Sequence, residues 1–239
     1  YDSYEALSTL TAVAAITERI GLVTGILMAP LRNAGVLAKQ AATIDAISSG
    51  RLTLGLAVGG REDDYLVAPV DFSTRGRRFN DQLDQMFKIW NGEIIFGAQR
   101  PVGPVPFRRG GPEILIGGTH PTAIDRVGRF ANGYVMGGRA TEAEWVGEIM
   151  SQVNEAWERH GREGKPRFVA TLPCGFGPGG EAAVRDALSD YYGGRPNQAA
   201  TRQARPNPSS VQEIEEIVAM HEELGTDEII FRPVIADID

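Results

Sequence analysis

Apolar residues recur along the chain at two spacings, one typical of amphipathic helices and one typical of buried strands. Near the start, Leu7, Leu10 and Ala14 fall on one helical face, and the apolar run IGLVTGILM (20–28) follows at strand length. Branched residues in this run favour a strand. The pattern therefore predicts a helix followed by a strand as the first repeat of the fold.

The same order returns to the end of the chain. A helix with Leu37 and Ile44 on its buried face precedes a strand at 52–58, and Ser73 is the expected N-cap of a long amphipathic helix. Further strands are expected at 113–117, 134–138, 167–174 and 227–233, with helices from about 121, 142 and 181 and around Val211. These strands are apolar throughout, as parallel strands covered on both faces are. The pattern predicts an α/β fold, either a (β/α) barrel or a doubly wound sheet.

Composition restricts the partners of such a fold. Lys and Arg total 24 against 31 Asp and Glu, a net charge of −7 that disfavours nucleic acid or an anionic membrane surface. A small-molecule substrate is the remaining expectation. At 239 residues, one barrel domain over 1–239 is the expected organisation.

Cysteine and histidine usage points to an intracellular protein without a metal. Cys174 is the single cysteine, so no intramolecular disulfide can form, and His120, His160 and His221 lack the spacing of a zinc site. The sequence contains no apolar stretch of membrane-spanning length and does not begin like a signal peptide. We expect a cytoplasmic protein with no metal.

Glycines end several of the predicted strands, in GLAVGG (55–60), ILIGG (114–118), YVMGG (134–138) and PCGFG (173–177). In parallel α/β folds these strand ends share one face, where ligands bind. One interpretation is that each glycine only makes a tight turn. The other is that bare backbone leaves room for a flat ring or a phosphate beside N–H groups.

The motif GFGPGG (175–180) matches the dinucleotide pattern G-x-G-x-x-G, but its late position, Pro178 and the absence of an acidic strand end farther on argue against that site. A flexible loop between strand and helix is the preferred interpretation. The segment 91–112, rich in proline and glycine, predicts a long irregular connection. Because it runs from a helix to a strand, it should lie at the face opposite the site.

The RGRRF segment (75–79) places cations in the first turn of a helix, where the helix dipole disfavours them. Two explanations remain open. Glu62, Asp63 and Asp64 could pair with these arginines, or one arginine could face an anionic ligand.

Three long segments, taken in order, resemble one family. They are TERIGLVTGILMAPLRNAGVLAKQAATIDAISSGRLTLGLAVGGREDDY (17–65), STRGRRFNDQLDQMFKIWNGE (73–93) and PEILIGGTHPTAIDRVGRFANGYVMGG (112–138). This order resembles the bacterial luciferase-like flavin-dependent monooxygenases and their deazaflavin (coenzyme F420) relatives. The resemblance implies a (β/α)8 TIM barrel that binds reduced flavin at the carboxyl ends of its strands. Counted against the family, the first two βα units and the last helix are absent from the chain, so a fragment is expected.

The resemblance also implies where the cofactor binds. It places a bulge in the family's third strand, with a cis peptide between Gly25 and Ile26, then contacts to the flavin ring and ribityl chain, and finally a phosphate loop. The cofactor-binding positions implied are Thr24, Gly25 and Ile26 in the bulge, Ala57, Val58, Gly59 and Gly60 beside the ring, and Gly117, Gly118, Thr119 and Thr122 in the phosphate loop.

By the same resemblance, the expected activity is oxidation of a small organic substrate by reduced FMN and oxygen. An F420-dependent hydride-transfer enzyme and a non-catalytic flavin-binding protein are the alternatives. The segment GGRED (59–63) lacks the aromatic residue that many flavin members carry there, which leaves FMN and F420 both open. The family's usual catalytic residue belongs to the strands that are absent, so none is assigned. A flavin reductase and a second copy in a homodimer are the expected partners.

Overall fold

The structure is a computed structural model that describes residues 4–192 and 207–234. It divides into two compact units, the first ending at Asn132 and the second beginning at Gly133. The prediction of one domain over 1–239 stays a prediction. Within the described residues, no helix combines the length and the apolar character needed to cross a membrane.

Helices and parallel strands alternate in the N-terminal unit, as the sequence predicts. The helices are α1 (Ala6–Ile16), α2 (Ala34–Ile47), α3 (Glu62–Val67), α4 (Arg75–Trp90) and α5 (Pro121–Phe130), and the strands are β1 (Leu22–Val23), β2 (Leu27–Met28), β3 (Leu52–Ala57) and β4 (Glu113–Ile116). Strand β3 is buried along its whole length. Both β1 and β2 pair with β3 in parallel, and so does β4. The continuous apolar pattern of β3 follows from this central position.

The predicted single strand at 20–28 is wrong in one respect, because the structure divides it into β1 and β2. Val23 pairs with Thr53, and Leu27 pairs with Leu56. Between these pairs the chain advances four residues from β1 to β2 but only three residues along β3. One extra residue between paired positions is a β-bulge. The bulge places residues 24–26 outside the regular ladder.

The predicted start of α4 is also wrong. Asp71, rather than Ser73, supplies the cap: its carboxylate accepts a hydrogen bond of 2.8 Å from the Ser73 N–H and begins a single 3-10 turn. Helix α4 then starts at Arg75 with no side-chain cap. The acidic residues at 62–64 form the first turn of α3, where negative charges interact favourably with the helix dipole.

One arginine holds together the end of α1, the turn before β1 and the start of β3. The guanidinium of Arg51 donates to the carbonyls of Ala14, Thr17 and Ile20 at 3.1, 2.7 and 2.8 Å, and its Nε donates to the carbonyl of Ser48 at 2.8 Å. The last carbonyls of a helix have no partner inside the helix, so a cation at this position satisfies them. Arg51 thereby fixes where α1 ends relative to β3.

The C-terminal unit repeats the alternation. It contains β5 (Gly133–Gly137), α6 (Ala143–Arg159), β6 (Arg167–Cys174), α7 (Gly180–Tyr192), α8 (Val211–Leu224) and β7 (Glu228–Pro233). Strand β6 pairs in parallel with β5 on one side and β7 on the other. The GFGPGG motif forms the loop from β6 to α7, as predicted.

Residues singled out for metal or thiol chemistry lie in ordinary positions of this unit. Cys174 is buried at the end of β6, and burial raises the pKa of its thiol. His160 is exposed at the C-terminus of α6. Among the residues that the structure describes, no group of three His, Cys, Asp or Glu side chains could hold a metal ion.

His221 is a buried, hydrogen-bonded histidine of α8. Its Nε2 lies 2.8 Å from the carbonyl oxygen of Ala140, and its Nδ1 lies 2.8 Å from the hydroxyl of Thr226. Because a carbonyl oxygen can only accept, Nε2 carries the proton and Nδ1 accepts from the hydroxyl. Burial lowers the pKa of His221 below the usual 6.5.

This burial predicts an acid-dependent loss of stability. Between pH 6.5 and the lowered folded-state pKa, the unfolded chain binds more protons than the folded chain, so the free energy of unfolding falls as the pH falls. The slope reaches at most about 1.4 kcal/mol per pH unit for this one proton. Urea unfolding at pH 5.0 to 8.0 should show it in the wild type and in His160→Gln. His221→Gln should lack this component, and an unchanged slope in that variant would contradict the assignment.

Candidate functional site

The strand register brings the predicted cofactor-binding positions to one edge of the N-terminal unit. Met28 at the end of β2 pairs with Ala57 at the end of β3, and Leu56 pairs with Ile116 at the end of β4. The N–H of Gly117 extends this pairing by donating to the Leu56 carbonyl at 3.0 Å. The carboxyl ends of β2, β3 and β4 therefore lie side by side, as the glycine pattern predicts.

The bulge at residues 24–26 presents bare backbone and an apolar side chain at this edge. Thr24 is buried, and its hydroxyl donates to the Gly55 carbonyl at 2.9 Å while its N–H donates to the Thr53 carbonyl at 3.2 Å. The peptide bond between Gly25 and Ile26 is cis, as predicted. Gly25 is exposed, and the Ile26 side chain is 39% exposed. An exposed isoleucine next to a glycine is a suitable surface for a flat apolar ring.

Gly55 in the middle of β3 allows the bulge to approach. A Cβ atom at Gly55 would lie 2.0 Å from the backbone oxygen of Thr24, far inside van der Waals contact. Any side chain at this position would push the bulge away from β3. The sequence pattern includes Gly55 only as the first letter of GLAVGG, so its role emerges from the structure alone.

The end of β3 passes from buried to exposed within four residues. Ala57 is buried, Val58 and Gly59 are half-buried, and Gly60 is exposed. Gly59 has a φ of +73°, and a Cβ there would lie 2.4 Å from the sulfur of Met28. The thioether of Met28 therefore occupies the space beside Gly59 that the sequence pattern left for a ligand.

Tyr65 supports this strand end and was missed by the sequence pattern. It is buried on α3, and its hydroxyl donates to the carbonyl of Val58. Burial raises the pKa of Tyr65 to about 12, so the phenol remains protonated and the hydrogen bond persists at physiological pH. An aromatic residue soon after a glycine pair is too common a pattern to reveal this role.

The third group of positions surrounds the start of α5. Gly117 is buried, whereas Gly118, Thr119 and Thr122 are exposed. Gly118 has a φ of +124°, a conformation that side chains other than glycine rarely adopt. The Thr122 hydroxyl lies at the start of α5, at the positive end of the helix dipole, which suits an anion such as phosphate.

His120, which the sequence left without a role, caps α5. Its Nδ1 lies 3.3 Å from the Thr122 N–H, which donates to it, and 3.0 Å from the Thr122 hydroxyl oxygen. Pro121 follows at the first helical position, where a missing N–H costs nothing. His120 thus orients the turn that holds Thr122.

The first explanation for the arginines at 75–78, pairing with the acids at 62–64, is not what the structure shows for Arg75 and Arg78. Asp64 lies 3.9 Å from the Nε of Arg61, its own neighbour in α3. Arg75 and Arg78 donate instead to backbone carbonyls, Arg78 to Pro30 at 2.7 Å. In residues 4–192, no ion pair joins these two arginines to the acids at 62–64.

The connection at 91–112 lies where the sequence placed it. It contains no helix or strand, and the Arg108 N–H donates to the carboxylate of Asp45 at 3.0 Å, near the end of α2. Arg108 also bonds the Gly50 carbonyl, just before β3 begins. This contact is at the opposite end of β3 from Ala57–Gly60, so the connection belongs outside the candidate site.

Comparison with known proteins indicates the family of this chain. The family model for luciferase-like monooxygenases matches residues 1–229. The F420-dependent glucose-6-phosphate dehydrogenase of Nakamurella multipartita is 27% identical over 172 residues, which cover 66% of this chain and 49% of that protein. The FMNH2-dependent dimethylsulfone monooxygenase of Pseudomonas putida is 26% identical over 164 residues, 64% of this chain and 44% of that protein.

The fold also matches solved structures. The monooxygenase RslO1 from Streptomyces bottropensis superposes with a TM-score of 0.75 at 21% identity, covering 97% of this chain and 77% of that chain. At this identity the likeness shows an α/β fold of the same kind and nothing about substrate. The chain spans about half the length of the curated relatives it matches, from 44% to 59%.

The contact between Gly55 and the bulge predicts a sharp effect of one methyl group. Gly55→Ala should lower the free energy of unfolding by about 3 kcal/mol, because the new Cβ meets a backbone oxygen that cannot rotate away. Gly21→Ala is the matched control, since nothing lies within 4 Å of a Cβ there, and it should change stability by less than about 0.5 kcal/mol. Urea unfolding of both variants tests this. Equal stabilities would show that the bulge adjusts freely.

Proposed function

The chain belongs to the luciferase-like monooxygenase family, and on that premise we propose that it is a flavin-dependent monooxygenase that uses reduced FMN and oxygen to oxidise a small organic substrate. The observation that carries the proposal is the register of β2, β3 and β4, which brings Met28, Ala57 and Ile116 to adjacent strand ends, with Ile26 just before β2 and Gly118 just after β4. Family membership supports the class of reaction. In the proposal, the whole protein is a single (β/α)8 barrel domain, works as a homodimer and receives reduced flavin from a reductase.

The residues present fit a flavin mononucleotide. The exposed Gly25–Ile26 pair would lie against the ring, and Ala57 and Val58 would lie beside it. Gly118, Thr119 and Thr122 at the start of α5 would hold the phosphate through N–H and hydroxyl donors. Reduced flavin, when bound, supplies the electrons and the reaction with oxygen.

In this proposal, the residues of the chain position the flavin ring and shield it from water. The bonds of Thr24 to Thr53 and Gly55 fix the bulge on which the ring would lie. The bond from Tyr65 to the Val58 carbonyl fixes the neighbouring strand end. Apolar groups such as Ile26 exclude water from the ring face, which protects a reactive cofactor from side reactions.

An F420-dependent hydride transfer is the second candidate function. The similarity to the F420-dependent glucose-6-phosphate dehydrogenase favours it. That protein is 27% identical to this chain, and the FMNH2-dependent relative is 26% identical. The edge described above has no feature that would admit one ring and exclude the other. The same bulge and the same phosphate loop would serve both cofactors.

A pair of fluorescence titrations tests the proposal and separates the candidates. The folded protein is titrated with FMN and, separately, with F420. Saturable binding of FMN, together with oxidation of the reduced flavin by oxygen at a rate or with a spectrum different from that of free reduced FMN, supports the monooxygenase. Saturable binding of F420 alone supports hydride transfer, FMN binding without that difference indicates a non-catalytic flavoprotein, and binding of neither contradicts the proposed function.

The phosphate loop gives a sharper prediction. Gly118→Glu places a negative charge beside the start of α5, and Gly118→Gln has the same shape and the same backbone strain without the charge. FMN affinity should fall at least about tenfold further in Gly118→Glu than in Gly118→Gln, a difference of about 1.4 kcal/mol. Riboflavin, which lacks the phosphate, should bind the two variants equally. An equal loss of FMN affinity in the two variants would contradict binding of the phosphate by this loop.

A further inference from the structure

The connection from β3 to α4, taken together with the first turn of α4 (residues 58–78), holds more positive than negative charge away from water. The structure describes all of this segment, and Arg61, Arg75 and Arg78 are half-buried in it. Asp64 is its one half-buried carboxylate, whereas the carboxylates at positions 62, 63 and 71 are exposed. A cation at the start of a helix is further disfavoured by the dipole. Excess cations in this setting attract an anion.

Arg75 has hydrogen-bonding capacity that the described residues leave unused. Its Nη1 donates to the carbonyl of Phe72 at 2.6 Å, and its guanidinium lies over the Phe72 ring, 3.7 Å from the centroid. Its Nε is buried and has no hydrogen-bond partner in the part of the chain that the structure describes. A buried donor without a partner is destabilising, and an oxyanion that accepts from it would remove this cost.

A chain of ring contacts connects Arg75 to the candidate cofactor site. The Phe72 ring meets the ring of Tyr65 edge to face, with centroids 5.1 Å apart. The Tyr65 hydroxyl in turn bonds the carbonyl of Val58 at the end of β3. Two aromatic rings with few rotamers thus hold the guanidinium at a set position relative to the strand end beside the proposed flavin ring.

We propose that Arg75 binds the oxyanion of the substrate, and that the substrate is therefore an organic acid carrying a carboxylate or sulfonate group. A planar guanidinium matches either group with two parallel hydrogen bonds. The stack on Phe72 keeps the guanidinium plane fixed, so binding loses little side-chain entropy. This inference rests on the proposed function, because it names the substrate class of the proposed enzyme.

The test follows the Arg75 Nε–H directly. Arginine Nε–H signals of the ¹⁵N-labelled chain are recorded by NMR, and the Arg75 signal is assigned as the one missing in Arg75→Gln. Sodium benzoate and sodium sulfate are the anionic probes, and benzamide is the neutral analogue of benzoate. We expect a saturable shift of this signal with at least one anion and none with benzamide. No saturable shift with either anion, or an equal shift with benzamide, overturns the proposal.

Arg77 provides a matched control two residues along the same helix. It is exposed, and with the Ser73 hydrogen bonds its charge lowers the pKa of Asp71, so Arg77→Gln removes the same charge from a solvated position. The dissociation constant for the anion, measured by calorimetry, should rise at least tenfold in Arg75→Gln and less than twofold in Arg77→Gln. Arg75→Lys, which keeps the charge but loses the planar fork, should also weaken binding, and provides the test if Arg75→Gln does not fold. Equal effects at positions 75 and 77 would reduce the site to general electrostatics and contradict the proposal.

The oxyanion could instead belong to the cofactor, and one comparison separates the two sources. If Arg75→Gln weakens FMN binding tenfold and leaves riboflavin unchanged, the partner of Arg75 is the cofactor phosphate and the substrate assignment is wrong. The anion titrations require no flavin. Anion binding without flavin binding would therefore contradict the proposed function while leaving the Arg75 site in place. Flavin binding without anion binding would contradict the Arg75 site while leaving the proposed function in place.

Discussion

The close approach of the bulge to Gly55 is the constraint on which the candidate site depends. The carbonyl of Thr24 occupies the space that a side chain on β3 would fill, and the Thr24 hydroxyl bonds the Gly55 carbonyl at 2.9 Å. This contact sets the offset between β1 and β2, and hence the register that brings Met28 beside Ala57. The exposure of Gly25 and Ile26 at the strand edge follows from it. A single methyl group at Gly55 would disturb all of these together.

Arginines in the N-terminal unit act mainly on backbone carbonyls. Arg51 satisfies the end of α1, Arg78 satisfies the Pro30 carbonyl after β2, and the buried Arg126 donates to the carbonyl of Gly76 at 3.0 Å. A guanidinium offers several donors in a fixed plane, which suits carbonyls that point in different directions. Arg75 differs because a buried Nε without a partner among the residues described is combined with a guanidinium that stacks on the Phe72 ring. That difference, rather than its charge alone, makes it the one arginine to which we assign a ligand.

The proposed site contains groups that bind and few that react. Backbone N–H groups, hydroxyls and apolar surface would hold a flat ring and an anion, and Tyr65 remains a neutral structural donor. Such a site leaves the chemistry to its cofactor, as flavin enzymes do. One strand edge can therefore serve both oxygenation and hydride transfer, and relatives of both kinds match this chain. Specificity would then depend on the substrate contacts, of which Arg75 is the first to be proposed.

The sequence by itself determined the alternation of helices and strands, because apolar spacing reports burial and burial is set residue by residue: β6 at Arg167–Cys174 lies where the pattern placed it. The family resemblance, also read from sequence, located the cis bond at Gly25–Ile26. Only the tertiary structure decided which glycines leave space, since Met28 fills the gap at Gly59 from another strand. It also decided that Asp64 faces Arg61 and that Arg75 stacks on Phe72. Such pairings depend on the packing of separate elements, which local sequence patterns do not encode.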